Sequence, residues 1–326
     1  TGIQFKNQLK EDAENNILRY EYFYNGGGVA VGDLDGDGLE ELFFTGNMTG
    51  NKLYKNLGQL KFSDVTKSAG VAGKSSWTTG VSFADVNGDG LLDIYVCFSG
   101  KGDPDSRRNE LWINEGNLKF SEQAQKFGID DPSHSTQGLF FDFDRDGDLD
   151  LYLLNHNVEV INEIQFDEVR ARRHPTAGDK LFRNDQGKFI DISEKAGIKG
   201  TGLGFGLSVI SSDINGDDWP DLLVTNDYIE PDYLYINNQD GTFTDRLTDY
   251  LQHISHFSMG ADIADLNQDG RPELFTLDML PEDNERQKLL YGPENYEQYN
   301  LMVNRNFHHQ LMRNMLHLNL GDGKFS

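Results

Sequence analysis

The sequence predicts an all-β fold, a β-propeller of four-stranded blades, on three observations. A nine-residue acidic segment recurs five times, each copy lies between a Gly-led alternating stretch and a short apolar run, and a Leu-x-x-Asn signature follows each copy. Short apolar runs bounded by Gly, Asn and Asp read as β-strands joined by hairpins. Four-strand units repeating every 50 to 70 residues point to propeller blades. A blade cannot bury both faces alone, whereas neighbours packed side by side can. A stacked solenoid is the competing reading; its repeats are usually shorter and need no four-strand meander.

The acidic segments are DLDGDGLEE from Asp33, DVNGDGLLD from Asp85, DFDRDGDLD from Asp142, DINGDDWPD from Asp213 and DLNQDGRPE from Asp265. Gly28-Val29-Ala30-Val31 and Gly80-Val81-Ser82-Phe83 exemplify the stretch before them, and Leu42-Phe43-Phe44 and Ile94-Tyr95-Val96 the run after. The second signature opens at Leu53, Leu111, Leu181, Leu234 and Leu316, and a Gly-led stretch closes each unit at Phe62, Phe120, Phe189, Phe243 and Phe325. These landmarks set blades at about 25–68, 77–127, 135–197, 204–250 and 257–326, within one propeller or partial propeller over 1–326. Alternation at Ile3 and Phe5, in the preceding segment 1–24, predicts a strand that closes the ring. The last unit reaches Ser326 inside its expected outer strand, so the chain is expected to form five blades of a six- to eight-bladed ring.

The acidic segments have the spacing of oxygen ligands around one cation. Positions 1, 3, 5, 7 and 9 are Asp33, Asp35, Asp37, Leu39 and Glu41 in the first loop and Asp85, Asn87, Asp89, Leu91 and Asp93 in the second. The third has Asp142, Asp144, Asp146, Asp148 and Asp150, the fourth Asp213, Asn215, Asp217, Trp219 and Asp221, the fifth Asp265, Asn267, Asp269, Arg271 and Glu273. Positions 1, 3, 5 and 9 offer side-chain oxygens, position 7 a carbonyl, and Gly at position 6 permits the turn. Six to eight oxygens suit Ca²⁺ better than Mg²⁺, which prefers a stricter octahedron. His and Cys are absent from the loops, against zinc or copper. An EF-hand shares the opening but needs Glu at position 12, where Phe44 and Val96 stand in apolar runs. Solvated Asp-Gly turns are the plain alternative; five copies in register, each with a carboxylate at position 9, argue against it. In the fourth loop Asp218 replaces the position-6 Gly, and Asp tolerates left-handed backbone better than most residues. Up to five Ca²⁺ are expected.

Composition sets limits on function. The 326 residues carry 29 Lys and Arg against 54 Asp and Glu, a net charge of -25, which argues against nucleic-acid binding. The five segments hold 20 of those carboxylates. With 21 Phe and 13 Tyr the chain has the aromatic content of a packed protein. It has no apolar run of the roughly 20 residues a membrane span needs. Cys97 is the only cysteine, so no intrachain disulfide exists, and it is expected to pack as a small apolar residue. Starting at Thr1 rather than Met, the chain is expected to be a processed product.

The repeated hairpin resembles the FG-GAP/VCBS calcium-binding blades of integrin-α-like propellers. Thr1-Gly2-Ile3-Gln4-Phe5, Tyr22-Phe23-Tyr24-Asn25-Gly26-Gly27-Gly28 and Gln310-Leu311-Met312-Arg313-Asn314-Met315 together look like the cartilage-acidic-protein-like VCBS proteins. The resemblance covers essentially the whole chain; its loops are specific for fold and calcium and only weakly informative about a ligand. It implies a Gram-negative surface lipoprotein, often encoded beside TonB-dependent nutrient-uptake systems, whose extracellular propeller serves binding or assembly. By the same resemblance, a lipid anchor upstream of Thr1 would hold it on the extracellular face of the outer membrane, with a TonB-dependent transporter and its lipoprotein as partners. Secreted or periplasmic placement is the alternative.

The units differ mainly in one connection. From the first loop Asp to the signature Leu they run 20, 26, 39, 21 and 51 residues, so the large insertions fall between second and third strands. Loops on a rigid scaffold are where binding concentrates. That elaborated face is expected to include Asn25, Trp77, His134, Phe205 and His256 from the loops leading into the first strands, with insertions at Lys101–Asn109, His156–Gly178 and Met279–Asn314. Val158–Arg173 and Pro293–Met315 read as helical, Pro293 suiting a first turn. Arg170, Arg172, Arg173 and His174 form a basic cluster that suits either a solvated helix end or an anchor for an acidic glycan or protein. The sequence carries no nucleophile elbow, P-loop, dinucleotide fingerprint or zinc motif. A non-enzymatic binding or assembly module follows. The alternative is a polysaccharide lyase or hydrolase, or a lectin-like propeller, using His134, His256, Arg172 and Arg173.

Overall fold

A computed structural model describes residues 1–74, 76–159, 161–290 and 293–326. The fold is nearly all β. The first sheet comprises β1 (Val29–Gly32), β2 (Glu41–Phe44), β3 (Lys52–Asn56) and β4 (Phe62–Asp64). The second comprises β5 (Thr78–Ala84), β6 (Asp93–Phe98), β7 (Glu110–Asn114) and β8 (Phe120–Glu122), and the third β9 (Ser135–Phe141), β10 (Asp150–Asn155), β11 (Lys180–Asn184) and β12 (Phe189–Asp191). The fourth comprises β13 (Gly206–Ser212), β14 (Asp221–Asn226), β15 (Tyr233–Asn237) and β16 (Phe243–Asp245). In all four, the strands follow chain order as an antiparallel meander, the predicted blade. Each acidic segment is the hairpin between first and second strands; in the second sheet, Ala84 pairs with Asp93. The short helices α1 (Thr66–Ala69) and α2 (Ala124–Phe127) each end on a left-handed glycine, Gly70 (φ 85°) and Gly128 (φ 83°).

The chain divides into two compact units, Thr1–Asp142 with Asp146–Val160 and Pro175–Ile192, and Phe143–Arg145 with Ile161–His174 and Ser193–Ser326. In the first unit β1 lies beside β5 and β5 beside β9. Leu34, Phe43, Leu53 and Val71 pack with Ile94, Val96 and Phe98 as one core, and Tyr95, Cys97 and Leu111 with Leu151, Leu153 and Phe182 as another. β6 and β10 are therefore buried along their whole length, as is β14 in the second unit, where Leu223 packs with Ile214, Leu234 and Leu274; this explains their continuous apolar runs. The close approach of β5 to β9 depends on Gly80, where a Cβ would collide with the Thr136 carbonyl oxygen. Gly80→Ala is expected to cost about 3 kcal/mol, read as a lower urea midpoint with unchanged slope; an unaltered midpoint would show that the strands slide apart freely.

The fifth repeat departs from the expected four-stranded blade. It includes β17 (Ile254–Ser255), β18 (Gly260–Ala264) and β19 (Glu273–Leu277). α5 (Asn284–Leu290) and α6 (Pro293–Asn304) follow. β20 (Gln310–Leu311), β21 (Met315–His317), β22 (Asn319–Gly321) and β23 (Lys324–Phe325) complete it. The sheet proper has three strands, β18-β19-β21; β22–β23 form a separate hairpin, and β17 pairs in parallel with β20. The ladder breaks at Leu318, whose N–H and carbonyl bond to Ser326 instead. The repeat also exposes a face that the others bury. Position 2 of the loop is 1–3% exposed at Leu34, Val86, Phe143 and Ile214 but 60% at Leu266. The signature leucines Leu53, Leu111, Leu181 and Leu234 are 0% exposed against 48% for Leu316. Burying such a side chain is worth about 2 kcal/mol, so this face forgoes much of its apolar stabilisation.

Three other expectations need correction. Ile3 and Phe5 form no strand. The Gln4 N–H donates to the Tyr54 hydroxyl (3.2 Å), Asn7 pairs by its side chain with Asn47, and Phe5 stacks on Phe44, so side chains take the bonds a ladder needs. The 158–173 helix shrinks to a 3₁₀ turn, Glu163–Gln165, and α3 (Phe166–Arg170), because the Asn162 side chain caps Ile164 and Arg173 leaves to bridge Thr201. The second insertion does begin its helix at Pro293, but α6 stops at Asn304, ahead of left-handed Asn306 and His308 that flank the buried Phe307.

Candidate metal centre

The five loops share one hydrogen-bond skeleton. The position-1 carboxylate accepts from backbone N–H groups across the turn: Asp33 from Gly36 and Gly38, Asp85 from Asp89 and Gly90, Asp142 from Asp146 and Gly147, Asp213 from Asp217 and Asp218, Asp265 from Asp269 and Gly270, all within 2.8–3.1 Å. The position-5 carboxylate accepts from the N–H of position 7, at Leu39, Leu91, Asp148, Trp219 and Arg271. Position 6 is left-handed in every loop, including Asp218 at φ 68°, so the substitution in the fourth loop preserves the turn.

Position 9 is the most buried: Glu41, Asp93, Asp150, Asp221 and Glu273 are 0–1% exposed. Four of them accept the backbone N–H of the signature Asn, namely Asn56 (3.2 Å), Asn114 (2.8 Å), Asn184 (2.8 Å) and Asn237 (2.8 Å). Glu41, Asp93, Asp221 and Glu273 also accept the N–H of position 2. Burial pushes the Asp93 and Asp221 carboxyls up to about 6, with the neighbouring loop carboxylates adding to the effect. An ionised carboxylate has about four lone-pair directions, so two such bonds leave capacity for a cation.

The first loop fits a hard dication. Oxygens of Asp33, Asp35 and Asp37 lie within 4.8 Å of one another, and those of Asp142, Asp144 and Asp146 do the same in the third loop. Asp35 Oδ1 is buried and has no hydrogen-bond partner among the described residues. Converging, under-satisfied carboxylates repel, and a divalent cation bound by oxygens removes that repulsion. Asn87, Asn215 and Asn267 put an amide oxygen at position 3 of the other loops.

Sequence reasoning missed two roles. In three of the five units the signature Asn reaches an earlier loop: Asn114, Asn237 and Asn319 donate from Nδ2 to the position-2 carbonyls of Leu34 (2.8 Å), Phe143 (2.9 Å) and Ile214 (3.0 Å). A second Asn or Asp, two residues before the signature Leu, holds the insertion. Asn109 accepts from Phe98 N–H, Asp179 from Asn155 N–H and the Tyr152 hydroxyl, and Asp232 from Asn226 N–H and the Ser258 hydroxyl. Its signal was present in all five units, at Asn51, Asn109, Asp179, Asp232 and Asn314.

The residues expected on the elaborated face are largely tied down. In the first unit Trp77 packs against Tyr20 and Phe23, and the buried His134 lies 5.9 Å ring to ring from His156. The Asn157 carbonyl can only accept, so His156 carries its proton on Nδ1 and accepts from the Ser99 hydroxyl at Nε2 (2.6 Å); burial pulls its pKa down to about 3. Asn25 is exposed, its N–H donating to the Tyr22 carbonyl (3.1 Å). In the second unit Arg170 pairs with the buried Glu230 (3.2 Å) and covers the Phe307 ring, while Arg173 donates to the Ile198 carbonyl (2.5 Å). Arg172 pairs with Glu168 (3.0 Å) at 74% exposure. Gln165, Glu168, Val169, Arg172, Arg173, His174 and Gly202 line a cavity of about 240 Å³. Half-buried His256 lies edge-on to Phe257. Cys97 is fully buried, as expected.

Comparison with known proteins agrees with the repeat reading. The FG-GAP-like repeat family matches residues 22–96 and 213–276. Cartilage acidic protein 1 of Xenopus tropicalis is 28% identical over 62% of this chain, and that of Homo sapiens 27% over 66%. The chain spans about 30% of the length of these relatives. Among solved structures, an Agrocybe aegerita lectin that recognises non-reducing terminal N-acetylglucosamine aligns at TM-score 0.48 and 18% identity, covering 91% of this chain and 64% of the lectin. A Bacillus licheniformis rhamnogalacturonan lyase aligns at TM-score 0.41 and 14% identity, covering 77% and 46%. Among the described residues no helix is long and apolar enough to cross a membrane.

Proposed function

We propose that this chain, which carries FG-GAP-like repeats, is a calcium-stabilised extracellular binding and assembly module rather than an enzyme. The observation that carries the reading is the loop skeleton repeated five times, with an under-satisfied Asp35 oxygen in the first copy. Asp33, Asp35, Asp37 and Glu41, with their counterparts in the other loops, would hold the ions, whose charge would close loops that otherwise repel. The chain's own residues do the rest: in four loops position 9 anchors the loop to the signature Asn, and Asn114, Asn237 and Asn319 reach on to an earlier loop. Ions of this kind fill where calcium is plentiful, which supports an extracellular setting. The exposed apolar face at Leu266 and Leu316 supports assembly, and the cavity beside Arg172 and His174 supports an acidic glycan or protein ligand. The finer reading, accessory to a TonB-dependent transporter on a bacterial outer membrane, stands on the resemblance alone.

Catalysis is the less favoured reading because His134 is buried and Arg170 and Arg173 are spent on internal partners. The test uses an acidic polysaccharide in calcium buffer, following retention in affinity gels and release of unsaturated products. Retention without turnover, weakened by Arg172→Glu, is expected. Turnover abolished by His256→Ala would replace the binding reading with a lyase. For the finer reading, cross-linking on intact cells should join the chain to a TonB-dependent transporter, and no such adduct would remove it.

A further inference from the structure

We propose that Lys55 is a built-in competitor for the divalent ion at the first acidic loop, so that this loop closes on its own ammonium and takes Ca²⁺ more weakly than the second. The inference rests on the calcium reading above and adds an order of filling to it. Lys55 occupies the third position of the first Leu-x-x-Asn signature, on β3. Its ammonium contacts Asp35 and lies 2.9 Å from Asp37. The pairing is largely sheltered, with side-chain exposures of 28% for Lys55 and 13% for Asp35. Two of the three carboxylates that converge in this loop therefore already share a positive charge.

The other repeats place different chemistry there. In the second sheet the position is Ile113, buried in the core, and the only side-chain donor to Asp89 among the described residues is the neutral amide of Asn87 (2.9 Å). In the fourth it is Ile236, and the neutral Gln239 amide donates to Asp217 (3.0 Å). In the third, Arg183 pairs with Asp185 (2.7 Å). In the fifth, Arg271 of the loop itself pairs with Asp269 (2.5 Å). The first loop thus joins carboxylates at positions 1, 3, 5 and 9 to a cation that arrives from the neighbouring strand and bridges two of them.

A dication bound at roughly 2.3–2.6 Å from those oxygens would lie within a few ångströms of the ammonium, where like charges repel strongly. Lys55 must swing out before the ion enters, losing two charge-assisted bonds. That loss is subtracted from the binding free energy of this loop and of no loop with Ile at the position. An ammonium is also a single charge facing three carboxylates, so it shields the loop only in part. Exchange for calcium remains favourable at millimolar concentration and follows the filling of the second loop.

The test is calcium calorimetry on the chelated full chain, comparing wild type with Lys55→Met and Lys55→Arg, plus the melting temperature of each in EDTA. Wild type is expected to show a site about ten-fold weaker than the tightest. Lys55→Met should strengthen that site about ten-fold and lower the EDTA melting temperature, while Lys55→Arg keeps the wild-type pattern. If Lys55→Met fails to fold, Lys55→Gln serves in its place, and the wild-type Lys55 ¹⁵N resonance gives a direct readout by moving to a solvent-exchanging position as calcium is added. Unchanged or weakened binding in the neutral variant, or a Lys55 resonance indifferent to calcium, overturns the proposal. Calcium taken up by none of the proteins instead removes the calcium reading itself, a distinguishable failure.

Discussion

Adding about 2 mM Ca²⁺ to the chelated protein is expected to raise its melting temperature by on the order of 10 °C. Extracellular calcium modules have affinities of roughly 10⁻⁴–10⁻³ M, which at that concentration gives about 1 kcal/mol per site. Five loops of one design then contribute roughly 5 kcal/mol, and a chain of this size gains about 2 °C per kcal/mol. The sign follows from charge. Twenty of the 54 carboxylates lie in the five segments of a chain with net charge -25, and their mutual repulsion is largest in the folded loops. Magnesium at equal concentration should do less, because it dehydrates reluctantly and demands a stricter geometry. Scanning calorimetry in EDTA, Mg²⁺ and Ca²⁺ decides it: identical transitions in all three would sink the calcium reading.

Asp93→Ala is expected to cost about 4 kcal/mol even in EDTA, from two orphaned donors at roughly 1–3 kcal/mol each. Asp93 is wholly buried and accepts the N–H groups of Val86 (3.1 Å) and Asn114 (2.8 Å). Losing it also frees Asn114, whose amide bridges the Leu34 carbonyl (2.8 Å) of the preceding loop and the Leu92 carbonyl (3.0 Å) of its own. The damage should therefore reach the first sheet, visible as faster amide exchange at Leu34 and its neighbours. Asp85→Ala should differ in kind. Asp85 is half-buried and, among the described residues, its carboxylate bonds only across its own turn, so its loss should be modest in EDTA and appear mainly as lost stabilisation by calcium. Equal losses for the two variants in EDTA would mean that position 9 is no more structural than position 1.

Much of this molecule was legible because its repeats carry local rules. Gly and Asp at fixed offsets specify a hairpin whatever surrounds it, which is why the loops at Asp33, Asp85, Asp142 and Asp213 sit between the expected strands. Patterns that depend on distant partners were less legible. Ile3 and Phe5 alternate like a strand, but their neighbours Gln4 and Asn7 bond to the side chain of Tyr54 and to Asn47 instead of to a ladder. The apolar residues between 158 and 173 space like a helix, but the Asn162 side chain caps a new start at Ile164 and Arg173 pairs outside the segment with Thr201. Lys55 reads as one more surface lysine until β3 brings it beside Asp35.

From its order of residues alone, the chain determined the all-β class, the hairpins, the acidic loops and the position of the insertions, since these follow from backbone preference and hydrophobic alternation within a few residues. Only the tertiary structure decided that position 9 anchors a neighbouring strand, that the signature Asn reaches the preceding loop, that Arg170 faces Glu230, and that the last sheet leaves Leu266 and Leu316 in solvent. Those outcomes depend on which of several equally suitable donors, charges and apolar faces arrive within reach, and that is settled by how sheets pack against one another rather than by any local pattern.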